Sequence, residues 1–168
     1  MAWLMTYDPK EAEVIIRSEL EWLRERIKTN IIMQGANASG KTIESMKVTT
    51  TPDGGELTGR PFFGTLETGR RGGKIPRNFA SIIYDWMMAK GVHAIEGGEK
   101  ADRSLSWAIA KTIQRKGTVL YREGGRDTIY SREITKTIKN LNERMAGLMS
   151  KSIQTIHLNL KNNGGQYK

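Results

Sequence analysis

The sequence predicts an α+β fold: a small, mostly antiparallel sheet packed against a long N-terminal helix and a C-terminal helix, with long Gly-rich basic loops between them. Three observations lead there. Apolar residues recur three and four apart near both ends of the chain, the spacing of one helix face. A β-branched run, Val48-Thr49-Thr50-Thr51, is followed by turn residues and a second apolar run. Glycine and cations then gather at Gly69–Lys74 and again at Arg122–Arg126, where too little apolar surface exists to fold in isolation.

Taken in order, Asp8-Pro9-Lys10-Glu11 is a helix start, with Asp8 as cap, Pro9 where its missing N–H costs nothing, and Glu11 completing a capping box. Ala12, Ile15, Ile16, Leu20, Leu23 and Ile27 form the apolar stripe of a helix that ends near Asn30 or somewhat later. Ser45–Thr51 and Glu56–Leu66 read as an antiparallel pair joined by Thr51-Pro52-Asp53-Gly54-Gly55, with Gly59-Arg60-Pro61 a bulge or edge position. Asn78 caps a short helix through Lys90, with Phe79, Ile82, Ile83, Trp86 and Met87 on one face and Gly91 as its stop. Ser104 or Asp102 opens a helix to Lys116, closed by Gly117. Residues 118–130 read as irregular, Ser131–Ser150 as a helix, and Ser152–Leu160 as an alternating strand around Ile156, Leu158 and Leu160. Residues 161–168 form a polar tail, and the whole is expected to be one domain over 1–168.

Composition narrows the chemistry. The formal charge is +9, from 27 Lys and Arg against 18 Asp and Glu, which suits nucleic acid, acidic membrane surfaces or acidic patches on proteins. Without cysteine there is neither a disulfide framework nor a thiolate metal site, and two histidines, His93 and His157, do not build one. No apolar run approaches the roughly 20 residues that cross a bilayer, and the first ten residues lack a signal-peptide pattern. A soluble protein made in a cytoplasm, without cofactor, metal or membrane partner, is expected.

Gly35–Thr42, GANASGKT, matches the phosphate-cradling pattern G-x-x-x-x-G-K-[ST] letter for letter. A working P-loop follows a buried strand and opens a helix. Here a charged helix precedes it and a β-branched run follows, so nucleotide binding by Gly35, Gly40, Lys41 and Thr42 is disfavoured and the stretch is read as a linker. No Ser-His-Asp arrangement is apparent, and Glu67, Asp85, Glu96, Glu99 and Asp102 have no metal-ligand spacing. A non-enzymatic protein is expected. Loops on a rigid scaffold are where binding concentrates, so Arg70, Arg71, Lys74 and Arg77 in the first loop, with Arg122 and Arg126 in the second, are the expected partner-binding cations. They suit phosphates or carboxylates alike. No helix-turn-helix or zinc signature points to base-specific reading.

The order of elements, together with ASGKTIESMKV, GGELTGRPFFGTLETGRRGGKIPRNFASIIYDWMMAKGV and GTVLYREGGRDTIYS, resembles the small neck proteins of tailed bacteriophages. These are the tail-completion or head–tail connector proteins, with similar proteins forming neck rings in crAss-like phages. The likeness spans roughly Ala38 to Ser131, and its most telling segment is FFGTLETGRR leading into KIPRNF. The resemblance implies a virion structural protein, assembled in the host cytoplasm as a homo-oligomeric ring. That ring would lie between portal or adaptor and tail proteins and be threaded by DNA at ejection, with no catalytic residues. A basic, non-catalytic DNA-binding protein is the alternative reading, and non-specific contact with genomic DNA stays open under either.

Overall fold

In a computed structural model, residues 8–51 and 53–163 are described, with side chains through residue 154. The structure is a mixture of helices with a small antiparallel sheet, an α+β arrangement. The chain divides into two compact units, each discontinuous in sequence. One comprises residues up to Arg26, Lys47–Thr58 and residues from Arg132 onward. The other comprises Ile27–Met46 and Gly59–Ser131.

The first unit is built on helix α1 (Pro9–Met33), of which it holds the N-terminal part, and on helix α7 (Ser131–Asn163). Asp8 Oδ1 accepts the Lys10 N–H at 2.9 Å, the cap the sequence predicts. Ala12 and Ile15 on α1 pack with Leu148, Leu141 and Met145 on α7. Arg144 adds donors to Glu19 Oε1 and to the Ser18 hydroxyl, both at 2.7 Å. Strands β1 (Lys47–Thr51) and β2 (Gly54–Thr58) pair with Val48 opposite Leu57. That face turns to α1: a Cβ on Gly55 would stand 2.7 Å from Leu20 and 2.9 Å from Ile16, and the Thr50 hydroxyl donates to Glu13 Oε1.

The second unit centres on α4 (Phe79–Lys90) and α5 (Gly98–Lys116). Phe79, Ile83, Met87 and Ala110 are buried together, with Leu105, Ile109 and Ile113 packed on them. The predicted apolar face of α4 is split, because Ile82 and Trp86 remain 45% and 43% exposed. Gly91 ends α4 in the left-handed region at φ 65°, with the Val92 N–H returning to the Met87 carbonyl.

Several predicted boundaries are corrected. The second strand stops at Thr58 rather than Leu66. Pro61 has no N–H for a ladder, the Arg60 N–H goes to the Ser45 hydroxyl, and successive turns leave Phe62 68% exposed before the single-turn helix α3 (Thr65–Thr68). Helix α5 begins at Gly98, not Asp102 or Ser104, after Gly97 at φ 98°. Residues 118–130 contain a one-turn helix, α6 (Val119–Arg122). Ser152–Leu160 is not a strand but the continuation of α7 to Asn163. Extending a formed helix adds one hydrogen bond per residue fixed, which outweighs a short β-branched alternation with no strand paired to it among the described residues. Of the expected polar tail, residues 161–163 end α7 and the remainder lies outside the described residues, as do the first seven residues and Pro52.

Candidate functional site

The two Gly-rich basic segments meet each other within the second unit. The Thr118 N–H donates to the Arg70 carbonyl at 2.9 Å, and the Gly73 N–H donates to the Gln114 carbonyl at 2.8 Å. In return the Thr118 hydroxyl oxygen accepts the N–H of Arg70 at 2.9 Å and that of Tyr121 at 3.3 Å. The glycines permit this approach. A Cβ on Gly72 would meet the Arg115 carbonyl at 3.0 Å, and one on Gly117, at φ 78°, the Arg70 carbonyl at 2.7 Å. The first segment therefore has main-chain partners within its own chain, contrary to the expectation of a loop that cannot order by itself. Thr118→Ala removes the cap of α6 and the acceptor for Arg70, and is expected to lower stability by about 1–2 kcal/mol, read from the urea midpoint.

The far end of the second segment is fastened the same way. The Arg126 N–H donates to the Glu67 carbonyl at 2.8 Å and its Nε to the Leu66 carbonyl at 3.0 Å. Glu67 itself is only 2% exposed. Its Oε1 accepts the N–H groups of Ile129 (2.8 Å), Tyr130 (2.7 Å) and Ser131 (3.1 Å), and its Oε2 accepts the Ser131 hydroxyl at 2.5 Å. Burial alone would raise this carboxyl's pKa. The Ser131 hydroxyl and the three N–H groups outweigh burial and hold it below the usual carboxylate value. The Tyr130 phenol, its ring 5.4 Å from that of Phe63, is pushed up by burial and by the Glu67 charge.

Between these contacts lies a cleft of about 860 Å³, walled by Thr68, Gly69 and Arg71 on one side and by Tyr121, Arg122 and Gly124–Asp127 on the other. Of the six cations singled out from the sequence, Arg71, Arg122 and Arg126 line it. Arg70 does not: its guanidinium lies 5.2 Å over the Phe79 ring and donates to the Lys74 carbonyl. Arg77 borders a separate, smaller cavity with Phe79 and Trp107, and Lys74 stands exposed outside both. Glu67, Thr118 and Tyr121 have no local sequence signal marking their roles. The partners of Glu67 lie 62 to 64 positions further along the chain.

Gly35, Gly40, Lys41 and Thr42 adopt a different geometry from a phosphate cradle. Gly35, at φ 62°, follows the C-terminus of α1. The Asn37 side chain accepts the Gly40 N–H at 3.1 Å, and Lys41–Glu44 forms a single-turn helix, α2. Among the described residues no strand precedes the stretch. His93 Nδ1 lies 3.0 Å from Asp102 Oδ2 while the Ala94 N–H donates to Oδ1 at 2.6 Å. These bonds, that from His93 foremost, lower the Asp102 pKa and fasten the segment after α4 onto α5. Among the described residues no group of three His, Asp or Glu side chains is placed to hold a metal ion. No protein-family model, curated protein or solved structure matches the chain.

Proposed function

We propose that this chain is a structural protein of the neck of a tailed bacteriophage. It assembles in the host cytoplasm into a homo-oligomeric ring that joins the portal or its adaptor to the tail, and it works by docking rather than by catalysis. The Gly-rich basic segments are its partner-facing parts. The sequence phrases from Ala38 to Ser131 motivate the reading, and one structural observation supports it. A groove of about 730 Å³ on the second unit, lined by Phe79, Ile83, Trp86, Leu105, Ile109 and Val119 among others, is left uncovered by the described residues. Such a groove suits an apolar side chain of a neighbouring subunit. A groove on one subunit filled by a different patch of the next is the heterologous contact that closes rings.

The test is the mass of the purified chain across a concentration series, by sedimentation velocity. A ring-sized species is expected at high concentration. Val119→Asp, at a side chain 56% exposed in the monomer, is expected to weaken assembly by about tenfold or more, because a charge is buried without a partner. A chain that stays monomeric at every concentration, with particles lacking it still joining heads to tails, overturns the proposal. The arginine-lined cleft favours a second reading, contact with nucleic acid.

A further inference from the structure

We propose that the cleft between residues 67–71 and 121–127 is a binding site for the phosphodiester backbone of a single nucleic-acid strand. It is a property of the second unit alone and does not depend on the ring. The cleft carries an excess of positive charge, with Arg71, Arg122 and Arg126 against Glu67 and Asp127. Arg71 and Arg122 are exposed, and their guanidinium groups form no hydrogen bond or ion pair among the described residues. The Arg126 guanidinium is oriented by its Nε bond to the Leu66 main-chain carbonyl, which is neutral. Of the two carboxylates in the lining, Glu67 is buried with both oxygens already accepting hydrogen bonds, and Asp127 has an interaction of its own. Three arginines on two walls thus line a space in which cations outnumber carboxylates.

Guanidinium suits phosphate, because its planar fork donates two parallel hydrogen bonds and it sheds water more readily than ammonium. At Gly124 an added Cβ would find nothing within 4 Å, so nothing obstructs a chain approaching the main chain there. Tyr121, an aromatic residue 40% exposed, lines the same cleft beside Arg122. A positively charged groove with a stacking ring is the physical basis of single-strand binding without sequence preference, and only an unpaired base can lie on the ring. A cleft of about 860 Å³ is also larger than one isolated anion requires.

The test is fluorescence anisotropy of a labelled oligothymidylate of about 12 nucleotides titrated with the full chain at several salt concentrations. Arg71→Ala/Arg122→Ala is expected to weaken binding by about tenfold or more and to reduce the steepness of log K against log salt by about 1.4, two single-strand phosphate contacts. The charge-matched Lys10→Ala/Lys47→Ala, on the other unit, is expected to weaken it far less. Neither arginine has a bond to lose, so the double variant should melt like the parent. Equal loss in the two doubles would mean diffuse attraction and overturn the site. So would absence of binding at low salt, or labelled polyglutamate binding as tightly as the oligonucleotide and displacing it, which would assign the cleft to an acidic protein segment.

Discussion

Glu67→Ala is expected to destabilise the chain by about 3–5 kcal/mol, the largest loss for any single side chain outside the apolar core. The carboxylate is the acceptor for three successive backbone N–H groups, at Ile129, Tyr130 and Ser131, and for the Ser131 hydroxyl. Alanine removes the acceptor and leaves buried donors unpaired, which costs more than the bonds contribute when made. Glu67→Gln keeps a carbonyl oxygen in reach of the N–H groups and gives up the charge, for an expected loss of about 1–2 kcal/mol. The sign of the acid dependence follows from the lowered pKa. A group that ionises more easily folded than unfolded stabilises fully above its unfolded pKa, ordinarily 4.5 for this residue, and that contribution disappears as pH falls through the folded value. Urea titrations at neutral and acid pH should therefore show parent and Glu67→Gln converging as pH drops. A Glu67→Ala midpoint indistinguishable from the parent would mean the carboxylate does not hold the 129–131 backbone.

Gly69→Ala is expected to cost about 2–4 kcal/mol, because its φ 68°, ψ −176° backbone suits glycine alone and an added Cβ overpacks. Gly69 sits at φ 68°, and an added Cβ would lie 2.4 Å from the Tyr121 nitrogen and 2.7 Å from the Thr118 hydroxyl oxygen. The nearest obstacle is main chain, which cannot rotate away as a side chain can. Gly91→Ala, in the left-handed region at φ 65° and ψ 29° with nothing within 4 Å of the new methyl, should show strain alone, about 1–2 kcal/mol. Thermal melts of the two variants suffice, and a Gly69→Ala loss no larger than that of Gly91→Ala would overturn the expected cost.

The parts of the fold legible in the sequence are those written in local periodicity. The stripe from Ala12 to Ile27 places α1, and the β-branched run at Val48–Thr51 places β1. Periodicity misleads where tertiary context decides. Phe62 and Phe63 look like strand residues, yet Pro61 ends the ladder and the chain turns. Ile156, Leu158 and Leu160 alternate, yet they belong to a helix already propagating from Ser131. The cations were visible as a group, but not which of them share a cleft, since Arg71 and Arg122 meet only because the segments bearing them are bonded to each other. Glycine pairs are ambiguous for the same reason. Gly72-Gly73 and Gly124-Gly125 suggest freedom in a sequence, but at Gly72 and Gly125 the missing side chain makes room for another carbonyl, that of Arg115 or of Glu67. Glu67 is the extreme case, an acid whose three N–H donors are encoded far downstream.

That backbone-to-backbone seam, running from Gly69 through Gly72 and Gly117 to Gly125, sets a fixed gauge. Rotamer changes can redirect a guanidinium on the rim, but the bore is held by main-chain bonds from Thr118 to Arg70, Gly73 to Gln114 and Arg126 to Glu67. Substitutions on the rim would retune what the opening attracts while its dimensions stay constant, whereas a single methyl in the seam would alter the dimensions and spare the charge.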